Sequence, residues 1–68
     1  MTDRAARVHA LEALLRAEGI PARGDAAGAG ADIAVIAGAI DPARIRPLSD
    51  RVRALGFRFI TIELDADA

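Results

Sequence analysis

A chain of 68 residues has room for one domain, and a domain of this size buries only about 60% of the surface that its unfolded form exposes. The sequence contains no cysteine, which excludes disulfides, thiolate metal sites and cysteine nucleophiles and leaves self-association as the route to extra stability. Nine basic and ten acidic residues give no electrostatic reason to expect nucleic acid or an anionic membrane as a partner. No apolar signal core or membrane-spanning segment is evident, and we expect a soluble, cytoplasmic protein.

The first half of the chain predicts one helix and two strands. The helix spans about residues 3–18, because Gly19 can adopt positive φ at its end and Pro21 forbids continuation. Residues 22–27 can be extended, and a glycine turn joins them to a clearer, β-branched strand over residues 32–37. The apolar stripe of the helix consists of Val8, Leu11 and Leu15. Its polar face, interpreted as solvated surface, carries Arg4, Arg7, Glu12, Arg16 and Glu18.

The second half predicts a broken helix followed by the strongest strand of the chain. Asp41 can cap a helix that starts at a proline, which predicts one turn over residues 42–46. Pro47 interrupts it, and a second helix follows over residues 47–55. Residues 57–64 then form a strand whose side chains alternate between two faces. One face carries Arg58, Ile60, Ile62 and Leu64; the other carries Phe57, Phe59, Thr61 and Glu63.

The element order α-β-β-α-β predicts one small α+β domain over residues 1–68. A right-handed crossover makes the last strand parallel to the second and puts both helices on one face of the sheet. This is the ferredoxin-like arrangement without its first strand, which is central in the complete fold. Either the sheet closes up directly, or another chain fills the gap. In both cases we expect an open edge and an uncovered face bearing Phe57 and Phe59, which we predict to be a partner interface.

The sequence shows no complete catalytic site, metal site or cofactor site. The glycine-rich segment 24–30 links two strands, whereas a nucleotide fingerprint lies between a strand and a helix. Ser49 has no histidine at a suggestive spacing, and His9, the only histidine, is predicted to lie at the surface. The acidic end of the chain is typical of a solvated tail, with a divalent-metal site as the alternative; its residues are Glu63, Asp65 and Asp67.

Five arginines lie within fifteen residues around the second helix: Arg44, Arg46, Arg51, Arg53 and Arg58. Arginine holds phosphate or carboxylate groups in a bidentate fashion, and we predict Arg51 and Arg58 as a candidate anion-binding pair. The alternative is that these side chains solubilise an exposed helix face and pair with Asp50 or Asp41.

Four stretches together resemble the carboxy-terminal domain of the LarE family of ATP-dependent sacrificial sulfur transferases, which are related to the PP-loop pyrophosphatases. The resemblance covers nearly the whole chain in order, and its most specific part is the glycine-phenylalanine, basic, aromatic, aliphatic, threonine run near the end. It implies a domain that helps a PP-loop enzyme to assemble. The stretches are LLRAEGI over residues 14–20, RGD over 23–25, ADIAV over 31–35 and RVRALGFRFITIEL over 51–64.

The departures from the family pattern restrict what the resemblance implies. The PP-loop domain and its ATP motif are missing, and there is no cysteine to donate sulfur. Arg23 stands before the Gly-Asp pair where the family has histidine, and Asp32 and Ala34 replace the arginine and glutamate of the following strand. The family's tail is replaced by residues 65–68, and no active-site residue is carried over.

These observations predict a non-catalytic accessory or assembly subunit, forming a homo-oligomer or a hetero-complex with a separate PP-loop sulfur-transfer protein. The alternative is a small homodimeric regulatory module that binds an anion or another small ligand through its arginines. A third interpretation is a fragment of a larger LarE-like enzyme.

Overall fold

The structure, a computed structural model, describes residues 4–38 and 40–64, and it confirms the predicted α+β order. Two helical segments pack on a three-stranded mixed sheet, and the second segment is interrupted by a 3-10 turn at Pro47. The predicted first residue of the first helix, Asp3, lies outside the described residues. The elements are α1 (Arg4–Ala17), β1 (Arg23–Ala27), β2 (Ile33–Gly38), α2 (Pro42–Ile45), the 3-10 turn (Arg46–Leu48), α3 (Ser49–Ala54) and β3 (Phe59–Leu64).

Helix α1 ends as the sequence predicts, at a glycine in the left-handed region. Gly19 has φ +70°, and its N–H donates to the carbonyl of Arg16 at 3.1 Å. The N–H of Ile20 donates to the carbonyl of Leu15 at 2.9 Å, which completes a Schellman motif. Ile20 is buried and thereby fixes the direction in which the chain leaves the helix toward β1.

The second helical segment starts at the predicted cap. The Asp41 carboxylate accepts a hydrogen bond from the N–H of Ala43 at 2.9 Å, and Pro42 occupies the first turn. The buried side chains of this segment are Ile45 from the short first turn, Leu48 and Val52, and Leu55 is partly buried.

The sheet has the order β1-β2-β3, with β1 antiparallel and β3 parallel to β2. Ile33 pairs with Ala27 on one side and with Phe59 on the other. The strand that is central in the ferredoxin-like fold is therefore not replaced by a gap: β2 and β3 pair directly. Of the two possibilities left open by the sequence, the chain adopts the closed sheet.

The helices cover one face of this sheet and leave the other face open. Ala26, Ala34 and Ile36 point toward the helices and are buried, as are Leu11 and Leu15 of α1. The strand registers and the alternation of side chains define the open face. It consists of three rows, which are Ala27-Ile33-Phe59, Asp25-Val35-Thr61 and Arg23-Ala37-Glu63.

The prediction that Phe57 is exposed on the open face is wrong. The side chain of Phe57 is 2% exposed and belongs to the hydrophobic core. Strand β3 begins only at Phe59, so Phe57 lies in the turn after α3, where strand alternation does not apply. Phe59 is 58% exposed, as predicted. The predicted aromatic pair is therefore divided between the core and the surface.

Candidate interaction surface

The outer edge of β1 is occupied by carboxylates. The N–H of Gly24 donates to Glu12 Oε2 of α1 at 3.4 Å, and the N–H of Ala26 donates to Asp25 Oδ1 at 2.7 Å. Because backbone groups alternate along a strand, these two N–H groups lie on the same side of β1, away from β2. Natural proteins blunt edge strands with such charged groups, and β1 is therefore poorly suited to pair with another strand.

Asp25 is held in place by a second contact. The Arg4 guanidinium donates to Asp25 Oδ1 at 3.4 Å, and both side chains are well exposed. The hydrogen bond from the Ala26 N–H, followed by the one from Arg4, lowers the pKa of the Asp25 carboxyl below its ordinary value. The carboxylate that blocks the β1 edge therefore stays ionised to a lower pH than an ordinary aspartate.

The outer edge of β3 has no such protection. The N–H of Phe59 donates to the carbonyl of Asp32, which turns the backbone groups of Phe59, Thr61 and Glu63 toward β2. The N–H and C=O groups of Ile60 and Ile62 consequently face outward. Among the described residues, no aspartate or glutamate accepts a hydrogen bond from the N–H of Ile60 or Ile62, in contrast to Glu12 and Asp25 at the β1 edge.

The open face combines an apolar end and a charged end. Phe59 lies at the apolar end, in the same row as the partly exposed Ile33. The charged end forms a surface depression of about 300 Å³, lined by Arg23, Gly24, Asp25, Val35, Ala37 and Glu63. A second depression, of about 350 Å³, lies beside the first residues of β1 and is lined by Glu12, Arg16, Ile20, Pro21, Ala22 and Arg23.

The two candidate anion-binding arginines have separate partners. Arg51 Nη1 donates to Glu18 Oε2, at the end of α1, at 2.7 Å. The Arg58 guanidinium lies 5.8 Å from the centre of the Phe59 ring, a cation–π distance. The residue paired with Arg51 is therefore neither Asp50 nor Asp41, the two partners that the sequence suggested. The structure does not bring Arg51 and Arg58 together on a shared group.

The polar face of α1 makes structural contacts that its sequence pattern does not indicate. The pattern predicts a solvated surface, but Glu12 accepts a hydrogen bond from the β1 backbone, and Arg7 donates to the carbonyls of Gly30 and Ala31, each at 3.0 Å. The side chain of Arg7 also lies against Gly56, before β3. No local signal in the sequence identifies these contacts, because each one joins α1 to a segment that is distant along the chain.

The other residues considered as catalytic or ligand-binding candidates are dispersed over the fold. The first four residues of the glycine-rich segment 24–30 belong to β1, and its last three, with Gly28 at φ +90°, form the predicted turn to β2; His9 is exposed on α1, as predicted. Ser49 is half-buried at the start of α3, and Glu63 lies on the open face. Among the described residues, no group of three or more histidine, aspartate or glutamate side chains is arranged to hold a metal ion. The predicted tail residues Asp65 and Asp67 lie outside the described part of the chain.

None of the helices in the described residues is long and apolar enough to cross a membrane. Comparison of the chain with protein-family models, with curated proteins and with solved structures gives no match. The resemblance to the carboxy-terminal domain of the LarE family therefore stays a prediction from sequence.

Proposed function

We propose that this chain is a non-catalytic assembly subunit whose open sheet face binds another protein. The observation that carries the proposal is the exposure of Phe59, the one large apolar side chain among the described residues that is mostly exposed. Phe59 adjoins Ile33 and Val35, which are only partly buried on the same face. Exposed aromatic side chains surrounded by polar groups are typical of protein-binding surfaces.

The resemblance to the LarE family suggests which partner to test first. It is a separate PP-loop protein that lacks a domain of this type, because the resembling domain accompanies a PP-loop domain in that family. The charged end of the open face, with Asp25 and Glu63, supplies a polar rim beside the apolar contact. The alternative, an anion-binding module, has weaker support, since Glu18 already occupies Arg51.

Isothermal titration calorimetry of this chain against such a PP-loop protein tests the proposal. We expect Phe59→Ala to weaken binding by about 2 kcal/mol or more, about thirtyfold in Kd, because central aromatic residues dominate interfaces. Phe59→Leu is the matched control and should retain most of the affinity, since it keeps an apolar side chain. The proposal is wrong if the wild-type chain does not bind, or if Phe59→Ala binds as tightly as the wild type.

A further inference from the structure

The two edges of the sheet differ in one respect that determines how the sheet can grow. The outward N–H groups of Gly24 and Ala26 on β1 are bound by carboxylates, whereas no carboxylate in the described part of the chain binds the outward N–H groups of Ile60 and Ile62 on β3. A chain with one available edge can pair through that edge only once. If the added strand belongs to an identical chain, the contact is closed by a two-fold axis and no further copy can join.

We propose that β3 pairs antiparallel with β3 of a second copy, giving a closed dimer with one continuous six-stranded sheet. This inference rests on the assembly function proposed above and adds a partner to it, because the open face stays free for a different protein. The two β1 strands become the outer edges of the joined sheet, each blocked by Glu12 and Asp25.

The hydrogen bonds of this pairing follow from the strand geometry. With the two-fold axis at Thr61, Ile60 of one chain lies opposite Ile62 of the second copy, and each residue supplies one outward N–H and one outward C=O. The two symmetry-related pairs then exchange four hydrogen bonds. Thr61 faces Thr61 of the second copy as the non-hydrogen-bonded pair on the axis.

Burial on the helix-covered face supports the same contact. Ala34 and Ile36 of β2 are fully buried, but their neighbours in the same rows on β3, Ile60 and Ile62, are only partly buried. The helical layer therefore covers the sheet incompletely toward β3. In the dimer, Ile60 lies against Ile62 of the second copy, and the two apolar strips complete each other.

Charge complementarity favours this register over registers centred on Ile62 or Glu63. In this register Phe59 lies opposite Glu63 of the second copy. The Arg58 guanidinium lies over the Phe59 ring, so each Arg58 comes close to the Glu63 carboxylate of the other chain. An axis at Glu63 would oppose two like charges, and an axis at Ile62 would oppose Glu63 to Thr61. Arg58, a candidate anion-binding residue, then binds the carboxylate of another chain.

The experiment is sedimentation equilibrium of the purified chain alone, from micromolar to millimolar concentration. We expect a monomer–dimer equilibrium with no larger species. A synthetic chain with an N-methyl group on Ile62 loses an outward N–H without losing a bond to β2, and should dimerise at least about tenfold more weakly. Its far-UV circular dichroism and urea midpoint should match those of the wild-type monomer.

Charge reversal tests the register independently. Glu63→Arg should weaken dimerisation about tenfold, Arg58→Glu should do the same, and the double variant should restore it. Asp50→Arg, an equal change of charge on the exposed side of α3, is the matched control and should leave the dimer unchanged.

The following results would contradict the proposed dimer, its register or the proposed function. If sedimentation shows only monomer up to millimolar concentration, the chain does not form the proposed dimer. If N-methylation of Ile62 leaves dimerisation unchanged, the dimer uses a surface other than the β3 edge. A double variant that stays as weak as the single variants means that the register is wrong. A monomer that still binds a PP-loop protein through Phe59 overturns this inference alone, whereas a dimer that binds no such protein overturns only the proposed function.

Discussion

Strands β1 and β3 are both edge strands, but they differ in how their free sides are treated and how they are attached. Strand β1 lies beneath α1, and carboxylates of Glu12 and Asp25 occupy its outward N–H groups. Strand β3 has β-branched residues and, among the described residues, no carboxylate on its outward N–H groups; the buried Phe57, two residues before the strand, anchors it. In β1 and β3, protection of the strand edge and attachment of the strand to the core are therefore separate properties, and different residues supply them.

The largest expected effect tests the attachment of β3. Phe57→Ala removes a fully buried ring and should lower the free energy of unfolding by about 3–5 kcal/mol, a large part of the roughly 5–15 kcal/mol available to a domain. Phe59→Ala, two residues further along, should change it by only about 0.5 kcal/mol, because that ring is mostly exposed. Urea unfolding of both variants measures the difference, and equal losses would contradict the assignment of one ring to the core.

An intermediate effect is expected when the β1 edge is opened. Glu12→Ala leaves the N–H of Gly24 without its partner and should cost roughly 0.5–1.5 kcal/mol. It should also free one of the two blocked N–H groups of the β1 edge, so that light scattering at high chain concentration detects some species larger than a dimer.

Glu12→Gln is the matched control for that change. The amide oxygen of glutamine can still accept from the Gly24 N–H, and this variant should retain the stability and the size distribution of the wild type. If the alanine and glutamine variants behave alike, the hydrogen bond of Glu12 does not protect the edge.

The smallest expected effect is the loss of folding stability at acidic pH through Asp25. The Asp25 carboxyl has a lowered pKa in the folded chain because of the Ala26 N–H and Arg4, so its contribution to stability is complete above the ordinary pKa of 3.8 and is lost as pH falls through the lower, folded value. NMR titration of Asp25 should give a pKa below 3.8, and Asp25→Asn should flatten the acidic limb of the stability profile. A pKa at or above 3.8 would mean that the β1 edge loses its charge in acid earlier than inferred.

The sequence predicted the elements well because their signals are local. Gly19 and Pro21 ended α1, Asp41 and Pro42 started α2, and β-branched residues marked β2 and β3. The parallel pairing of β2 with β3 followed from the helical crossover that joins them, and its right-handedness put the helices on one face. Each of these features is determined by a few neighbouring residues or by a general rule of chain topology.

The site was predicted only in part, because its features depend on the boundary of a strand and on distant contacts. Alternation put Phe57 and Phe59 on one face, but β3 starts two residues later than expected and the two rings separate. Glu12 binds the backbone of Gly24, and Arg51 binds Glu18. Hydrophobic periodicity reports only on neighbouring residues and cannot reveal contacts between residues so far apart in the sequence.

The direct pairing of β2 with β3 has a consequence for how the sheet forms. Ala27 meets Ile33 across a short turn, whereas Phe59 meets Ile33 only after the whole helical connection has been closed into a loop. The entropy lost in closing a loop grows with its length, and contacts between residues distant in sequence are formed late during folding. The strand that joins the sheet at the greater entropic cost is thus the one that leaves an edge available for another chain.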